Sequence, residues 1–153
     1  ERAMYDSDGS LREKIVAKYD SKGNMTEEAE YKSDGSLWYK LTVKYDTKGK
    51  MTEVAVYNSD GSLDIRCIYK YDTKGNETEG AVYTSDGSLL VKRIYKYDSK
   101  GNVTEEAGYY SDGSLSKYIY KYNSQGNITE VTKYDGEMQK PESQDVYTII
   151  YRK

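Results

Sequence analysis

Apolar and polar residues alternate in short segments along most of the chain, and no segment shows the spacing of an amphipathic helix. The alternating segments are rich in Tyr, Thr, Val and Ile, which are typical of β-strands. Clusters of Asp, Asn, Ser and Gly separate these segments, and such residues favour tight turns. The pattern therefore predicts an all-β protein built from hairpins.

The turns recur at a fixed spacing, which identifies an internal repeat. The triplet Asp-Gly-Ser occurs five times at intervals of 26 residues, beginning at Asp8, Asp34, Asp60, Asp86 and Asp112. A second turn, of the Lys-Gly-Asn type, lies between successive triplets, so each unit has two turns and two strands. Residues 1–153 are predicted to form a single domain of these 26-residue units. We expect an antiparallel meander of about twelve strands in an extended, twisted sheet, open or partly rolled, with a closed barrel as the alternative.

The turn type follows from the register that places apolar residues opposite one another. A three-residue loop with a left-handed glycine at its third position pairs Tyr31 with Leu37 and Tyr45 with Met51. The same register places Tyr39 opposite Ala29 and Tyr57. Ten glycines are predicted to be structural because this loop position has positive φ: Gly9, Gly23, Gly35, Gly49, Gly61, Gly75, Gly87, Gly101, Gly113 and Gly126.

Unbroken alternation also assigns side chains to the two faces of the sheet. One face is predicted to carry the Leu, Ile, Val, Met and Ala residues and most tyrosines, together with one glutamate per unit (Glu27, Glu53, Glu79, Glu105 and Glu130). The opposite face is predicted to carry the lysine of each Lys-Tyr-Asp sequence (Lys18, Lys44, Lys70, Lys96 and Lys121) and the threonine of each strand after Lys-Gly-Asn (Thr26, Thr52, Thr78, Thr104 and Thr129). It is not purely polar, because it also carries Val54, Val56, Ile68, Ile94 and Trp38. Neither face has the composition of a dry core.

The fifth unit is one residue shorter than the others between Leu115 and Tyr122. A missing residue changes the phase of the alternation, so we expect a β-bulge or a bend near residues 117–119.

The two ends of the chain depart from the regular repeat. The sequence begins inside a unit, and we expect a targeting segment or further repeats before Glu1. Residues 136–153 are predicted to be a C-terminal loop and capping strand. The polar segment 136–145 holds the only proline, Pro141, and suggests the loop, whereas residues 146–151 alternate and form the strand at the sheet edge.

Composition limits how much apolar surface the chain can bury. Hydrophobic residues make up 36%, the mean hydropathy is −0.95, Phe is absent and Trp occurs once, whereas there are 19 tyrosines. Tyrosine suits half-exposed surfaces better than dry interiors, which indicates a shallow structure. The 23 Lys and Arg and 26 Asp and Glu residues are interleaved and give a net charge of −3, so no nucleic-acid partner is expected. No apolar run has the length of a membrane span, and the lone Cys67 excludes an internal disulfide.

One motif resembles a known family. Tyr71-Asp72-x-x-Gly75-Asn76-x-Thr78, followed by Asp86-Gly87 and a tyrosine-containing strand, is similar to the YD repeat of Rhs and teneurin proteins. The motif recurs at Tyr19, Tyr45 and Tyr97, and in weaker form at Tyr122-Asn123, so the likeness covers most of residues 5–135. The resemblance implies antiparallel strands of a secreted or bacterial cell-surface protein, in a family whose repeats often coil into a large shell and to which carbohydrate binding has been attributed.

Few kinds of catalytic or metal site are compatible with this sequence. Histidine is absent, which excludes a Ser-His-Asp or Cys-His arrangement within the chain. With one cysteine and no histidine no zinc site is predicted, and the turn Asp and Asn residues lack the spacing of a calcium loop. No cofactor is expected. Four Asn-x-Thr sequons, at Asn24, Asn76, Asn102 and Asn127, are interpreted as turn residues followed by strand threonines.

The repeated glutamates are the one catalytic hypothesis. Glutamates two strands apart lie about 9.6 Å from each other, near the upper end of the separation in inverting glycosidases. A repeat-generated row is better interpreted as structural, with each carboxylate bonded to tyrosine hydroxyls or, for Glu79, to Arg93. A glycosidase-like enzyme is therefore a remote alternative, and the chain is predicted not to be an enzyme.

The binding hypothesis rests on a tyrosine row. Tyr31, Tyr57, Tyr83 and Tyr109 recur on every second strand of one face, with Tyr39 beside Tyr57 in the proposed register. Such a row can stack on sugar rings or on a partner's aromatic residues, or it can serve cross-strand packing alone. The sequence thus predicts a non-catalytic, secreted or cell-surface repeat module that acts as a scaffold or binding surface. Carbohydrate or another protein is the possible partner, and self-association through sheet edges or the Tyr and Leu face is plausible.

Overall fold

The computed structural model describes residues 2–137 and 140–149, and the side chains of residues 2–136 and 145–149. The described residues form strands and turns, with no helix among them. The strands are β1 (Arg2–Tyr5), β2 (Leu11–Tyr19), β3 (Met25–Lys32), β4 (Leu37–Tyr45), β5 (Met51–Tyr57), β6 (Leu63–Tyr71), β7 (Glu77–Thr84), β8 (Leu89–Tyr97), β9 (Val103–Tyr110), β10 (Ser114–Tyr122), β11 (Ile128–Glu137) and β12 (Lys140–Thr148).

The twelve strands follow one another in chain order in one antiparallel sheet, which confirms the predicted all-β meander. No pairing between β1 and β12 occurs within the described residues, and the sheet is not closed into a barrel. The chain divides into two compact units. The first contains residues up to Ile68 together with 83–87, and the second contains 69–82 together with the residues from Ser88 onward.

The ten repeat turns have the glycine geometry that the sequence predicts. In the β3–β4 hairpin the Lys32 N–H donates to the Ser36 carbonyl at 2.9 Å, and the Gly35 N–H donates to the Lys32 carbonyl at 3.0 Å. This is a type I turn closed by a left-handed glycine. All ten predicted turn glycines have positive φ, between 81° and 91°. A side chain is strained in that conformation, so the backbone requires glycine at these positions.

A second bulge, which the alternating sequence pattern does not predict, lies beside the turn in most hairpins. In the β3–β4 hairpin Tyr31 pairs with Leu37 as expected, but Glu30 pairs with Tyr39 and Trp38 is left without a partner across the strands. Comparable shifts leave out Arg12 in β2 and Asp64 in β6. The closing pairs were therefore predicted correctly, whereas the pairs further from the turns are displaced by one residue.

The same displacement occurs at the other ends of the strands. Tyr45 pairs with Met51 as predicted, but Lys44 pairs with Glu53, so Thr52 is the bulged residue. The threonines bulged in the corresponding hairpins of the described chain are Thr26, Thr104 and Thr129.

These bulges overturn the predicted assignment of faces. Because residues paired across two strands share a face, Lys44 lies on the same face as Glu53, and not on the opposite one. In the first compact unit this face also carries Ala55, opposite Thr42, and Tyr57, opposite Lys40. We call it the lysine face.

Small residues form most of the interior of each unit. The buried apolar residues of the described chain are Ala29, Val43 and Ala55 in the first unit and Ala81 and Ala107 in the second, each at most 6% exposed. No large side chain in the described residues is fully buried. Neither face is a dry core, as the composition indicated.

The fifth unit contradicts the predicted bulge near residues 117–119. Pairing between β9 and β10 is regular from Leu115 with Tyr109 through Ile119 with Glu105. The residue missing from this unit is the one that corresponds to Trp38 in the second 26-residue repeat. Its absence removes the bulge and leaves the rest of the hairpin in register.

The C-terminal region contains less loop than predicted. Strand β11 continues to Glu137 and β12 begins at Lys140, so the predicted loop at 136–145 is mostly paired backbone. Pro141 is paired with Gly136 after a register shift. A proline is tolerated here because the final strand lies at an edge of the sheet, where the missing N–H does not interrupt an interior ladder of hydrogen bonds. Of the predicted capping strand at 146–151, residues 146–148 belong to β12, and residues 150 and 151 lie outside the described residues.

Candidate functional site

Four of the five predicted binding tyrosines occupy equivalent positions, opposite or close to basic side chains. In the first compact unit Tyr31 pairs with Lys14 and Tyr57 pairs with Lys40, and both pairs lie on the lysine face. Tyr83 belongs to the first compact unit, and in the second compact unit Tyr109 pairs with Lys92. All four side chains are half-buried.

Cations of neighbouring strands lie over two of these rings. The Lys40 ammonium nitrogen is 5.0 Å from the centroid of the Tyr57 ring, and the Arg66 guanidinium carbon is 5.7 Å from that of Tyr83. Both distances are within the range of cation–π attraction. The row therefore takes part in packing within the sheet.

The fifth predicted residue, Tyr39, lies on the opposite face. The bulge at Trp38 places Tyr39 opposite Glu30, whereas Lys40 takes the position next to Tyr57 that was predicted for Tyr39. Burial, together with the nearby Glu30 and Glu28 carboxylates, raises the pKa of Tyr39 to about 12. The five tyrosines consequently do not form one surface.

The repeated glutamates are bonded to lysines. In every unit the lysine that precedes the Tyr-Asp or Tyr-Asn pair forms an ion pair with the repeated glutamate: Lys18–Glu27 (2.7 Å), Lys44–Glu53 (2.8 Å), Lys70–Glu79 (2.9 Å), Lys96–Glu105 (3.0 Å) and Lys121–Glu130 (2.7 Å). The Lys18 ammonium lowers the pKa of Glu27, and Lys70 lowers that of Glu79. The predicted tyrosine and Arg93 partners are wrong, because the bulged threonines bring lysine opposite glutamate.

In the second compact unit, two of these carboxylates form an ion pair with a second lysine. Lys92 lies 3.0 Å from Glu79, and Lys117 lies 3.2 Å from Glu105. Burial acts to raise the pKa of Glu105, but the hydrogen bonds from Lys96 and Lys117 outweigh it and the pKa is lowered.

The Tyr and Thr residues of the YD-like motif bond to the backbone. The hydroxyls of Tyr45, Tyr97 and Tyr122 donate to the carbonyls of Met25, Glu77 and Val103, at 2.9, 2.6 and 2.6 Å. The hydroxyls of four strand threonines donate to carbonyls of Lys-Tyr-Asp lysines at 3.2–3.4 Å: Thr26 to Lys18, Thr52 to Lys44, Thr78 to Lys70 and Thr129 to Lys121.

The Asp and Asn residues of the turns are bonded within the turns. Asp72 accepts from the Lys74 and Asn76 N–H groups at 2.9 Å, and the Asn76 side-chain amide donates to its second oxygen at 2.9 Å. These bonds, chiefly from the Asn76 side chain, lower the pKa of Asp72. Among the described residues no group of three or more His, Cys, Asp or Glu side chains is arranged to hold a metal ion.

A groove that the sequence does not predict lies beside Trp38. It has a volume of about 400 Å³ and is lined by Arg12, Glu13, Glu30, Tyr31, Lys32, Ser33 and Trp38. Trp38 is 56% exposed, and its ring meets Tyr39 edge to face with centroids 6.0 Å apart. Glu30 is 9% exposed and is the one buried ionisable residue of the described chain. The available signal was the single tryptophan at a position where the other units differ.

Comparisons with known proteins identify a fold and no function. The model of a family of proteins of unknown function, DUF2963, matches residues 83–133, a third of the chain. No curated protein matches the sequence.

Among solved structures, that of TcdB2-TccC3-TEV is similar to this chain with a TM-score of 0.54 and 14% identity. The alignment covers 95% of this chain and 9% of that one, so the chain spans about a tenth of its length. A porin-like protein from Bacteroides uniformis has 11% identity and a TM-score of 0.39, over 95% of this chain and 85% of that protein. A DUF3836 family protein from Parabacteroides distasonis has 15% identity and a TM-score of 0.33, over 66% of this chain and 91% of that protein. The first likeness is one of fold, shared with a small part of a much larger chain.

The described residues contain no helix with the length and hydrophobicity needed to cross a membrane.

Proposed function

We propose that this chain is a non-catalytic β-repeat module that acts as a structural scaffold in a secreted or bacterial cell-surface protein. The proposal rests on the contacts of the recurring polar residues, which bond to one another or to the backbone. Lysine pairs with glutamate in every unit, tyrosine and threonine hydroxyls bond to carbonyls, and Asp and Asn bond within turns. Residues that hold neighbouring strands together in each unit serve the sheet itself.

The resemblance of the motif to a known repeat supports the extracellular location. The Tyr-Asp, Gly-Asn and Asp-Gly elements resemble the YD repeat of Rhs and teneurin proteins, which are secreted or exposed at the surface. The fold is shared with a part of TcdB2-TccC3-TEV. A member of such a family carries repeats as part of a longer protein, and we infer the same arrangement for this chain.

The geometry of the glutamates favours a scaffold over the glycosidase-like alternative. A glycosidase needs a carboxylic acid whose pKa is raised, so that it can protonate the leaving group. Lysines instead lower the pKa values of Glu27, Glu79 and Glu105. These three glutamates therefore lack the raised pKa that a general acid requires.

The other alternative, carbohydrate binding by the tyrosine row, receives less support. Lys40 and Arg66 lie over the rings of Tyr57 and Tyr83, where a sugar ring would have to stack. Tyr39 lies on the opposite face from Tyr57. The contacts of the row favour cross-strand packing as its role.

We also propose that the sheet associates through its edges. Strands β1 and β12 each pair with one neighbour in the described chain, and an edge strand offers backbone groups to a further strand. Sedimentation velocity at increasing protein concentration tests this proposal. A single concentration-independent species would contradict association between copies of this chain.

The scaffold proposal is tested on the full-length gene product in its producing cells. A membrane-impermeant amine reagent should label the exposed lysines, such as Lys44, on intact cells. Labelling only after lysis would overturn the proposed location. The purified chain should hydrolyse no aryl glycoside; turnover that disappears in Glu53→Gln or Glu79→Gln would overturn the non-catalytic role.

A further inference from the structure

The repeated glutamates of this sheet have a lysine beside them, whereas two other glutamates of β3 do not. Glu27 forms an ion pair with Lys18 on the lysine face. Glu28 and Glu30 lie on the opposite face of the same strand, where Glu30 pairs with Tyr39. In the part of the chain that the structure describes, neither Glu28 nor Glu30 takes part in an ion pair.

Glu30 is the more buried of these two glutamates, with 9% of its surface exposed. The Tyr39 hydroxyl lies 3.5 Å from the Glu28 carboxylate and also forms a hydrogen bond with Glu30. A hydroxyl has a single proton, so it can donate to only one of the two carboxylates at a time. Burying a carboxylate without a cation costs free energy, and Val56, at the position of Glu30 one repeat later, avoids that cost. The packing of the sheet therefore does not explain Glu30.

An exposed tryptophan lies in the same groove as this carboxylate. Trp38 and Glu30 both line the groove of about 400 Å³, and Trp38 is 56% exposed. The equivalent bulged residues in other repeats are Arg12 and Asp64, so the bulge does not require an aromatic ring. Trp38 and Glu30 are thus two departures from the repeat that occur at one place.

The cations at the groove do not neutralise its buried carboxylate. Arg12 and Lys32 line the groove, and both are exposed. Within the described residues neither forms an ion pair with Glu30 or with Glu13, the half-buried second carboxylate of the groove. Exposed charges are screened by water and interact weakly, whereas a buried carboxylate attracts a cation strongly. The groove therefore favours a further cation next to Glu30.

We propose that this groove binds an arginine side chain of a partner protein, with the guanidinium group against the Trp38 indole and hydrogen-bonded to the Glu30 carboxylate. Guanidinium is planar and weakly hydrated, stacks on aromatic rings and donates two parallel hydrogen bonds to a carboxylate. The groove volume suits a group of this size, and the exposed Lys32 and Ser33 beside it leave the groove accessible from a separate chain. This binding surface goes beyond the scaffold role and does not depend on it.

The tryptophan itself reports on binding, because the chain has only one. The probe is an end-blocked Gly-Arg-Gly peptide, and the control is the same peptide with citrulline, a neutral analogue of arginine. Titration with the arginine peptide should change the emission of Trp38 saturably, and the citrulline peptide should bind about tenfold more weakly or less. A lysine peptide should have an intermediate affinity. No saturable change up to about 10 mM arginine peptide, or equal binding of the citrulline peptide, would overturn the proposal.

Variants separate the groove from the rest of the sheet. Glu30→Gln keeps the fluorescent reporter and the size of the side chain, and should weaken binding of the arginine peptide about tenfold or more. Trp38→Leu installs the residue found at the equivalent position 90, and an NMR titration should show a comparable loss. The matched control Asp64→Ala removes one negative charge at the equivalent bulge one repeat later and should bind as tightly as the unaltered chain. An equal loss in Asp64→Ala would mean that the peptide responds to net charge alone, which would overturn the proposal.

Two further results would contradict the assignment even if the arginine peptide binds. Unchanged affinity in Glu30→Gln and Trp38→Leu, both with native circular dichroism, would place the guanidinium group elsewhere. A shift of Trp38 emission with protein concentration alone would show that a second copy of this chain, and not another protein, covers the indole.

Discussion

The two ends of the strands use the same backbone device with different chemistry. At the Lys-Gly-Asn ends the bulged residues are half-buried threonines, such as Thr26 and Thr52, whose hydroxyls donate to a lysine carbonyl. At the Asp-Gly-Ser ends the bulged residues Arg12, Trp38 and Asp64 are exposed and share no chemistry. The contacts of the sheet therefore favour threonine in the row of bulges at the Lys-Gly-Asn ends, whereas the residue type can vary in the row at the Asp-Gly-Ser ends.

The fifth unit shows how little the sheet depends on the variable row. Its Asp-Gly-Ser hairpin has lost the bulged residue altogether, and pairing from Leu115 to Ile119 remains regular. The Lys-Gly-Asn hairpin that follows keeps its threonine, Thr129, and its ion pair between Lys121 and Glu130. Functional differences between units are thus to be sought at the Asp-Gly-Ser ends.

Deleting the bulged residue should separate the two rows most strongly. Deletion of Thr52 should destabilise the chain by about 2–3 kcal/mol, because it removes the bulge together with the hydroxyl that donates to the Lys44 carbonyl. Deletion of Trp38 reproduces the fifth unit and should cost less than about 1 kcal/mol. Urea denaturation monitored by circular dichroism measures both. Equal losses would mean that the two bulges matter equally to the sheet.

The turn glycines should be required at both ends, since their backbone geometry is the same. Gly49 and Gly35 both have φ of +81°. Replacement of either by alanine places a side chain in the left-handed region and should cost about 1–2 kcal/mol. The change in the free energy of unfolding should agree between Gly49→Ala and Gly35→Ala. A cost at one end alone would show that the turns differ in strain.

How far the sequence predicts this structure depends on whether the signal is local. The turn glycines and the closing pairs, such as Tyr31 with Leu37, follow from residues within the turn itself. The second bulges do not, because Trp38 and Thr52 have the composition of ordinary strand residues. An undetected bulge displaces every later pair by one residue, which is why Tyr39 and the lysines were assigned to the wrong faces.

The candidate site was predicted even less completely, for a related reason. The tyrosine row is visible in the repeat, but the cations over its rings depend on register. The groove at Trp38 is formed by three strands, β2, β3 and β4, and includes the bulged Arg12. The missing residue in the fifth unit was the one sequence signal for the bulge, since a deletion without loss of the downstream pattern indicates a residue that the pairing does not need.

Side-chain changes at the bulges should reproduce the contrast on a smaller scale. Thr52→Ala removes the hydroxyl that donates to the Lys44 carbonyl at 3.3 Å and should cost about 0.5–1 kcal/mol. Asp64→Ala, at an exposed bulge of the other row, should change the free energy of unfolding by less than about 0.5 kcal/mol. Thr52→Ser, which retains the hydroxyl, serves as the control. If Ala and Ser are equivalent at position 52, the hydrogen bond does not distinguish the rows.

Acid sensitivity should be shared by the turns at both ends. Hydrogen bonds to turn carboxylates lower the pKa values of Asp20, Asp72 and Asp98 at the Lys-Gly-Asn ends, and of Asp34 and Asp60 among those at the Asp-Gly-Ser ends. A carboxylate whose pKa is lower in the folded than in the unfolded chain stabilises the fold at pH values above the unfolded pKa of about 3.9. This contribution is lost as the pH falls through the folded pKa. The melting temperature should therefore decrease below about pH 4.

Asp72→Asn tests this origin of the acid sensitivity, and the fifth unit shows that the turn accepts the change. There Asn123 accepts from the Gln125 and Asn127 N–H groups at 3.0 and 2.9 Å. Because asparagine does not titrate, the variant should melt slightly below the unaltered chain at neutral pH, and the two curves should converge as Asp72 is protonated. Asn123→Asp, which makes the reverse change in the fifth unit, is the matched counterpart and should steepen the loss of melting temperature below about pH 4. Parallel curves for Asp72→Asn would mean that the turn carboxylates do not carry the acid response, and that ion pairs such as Lys18–Glu27 do.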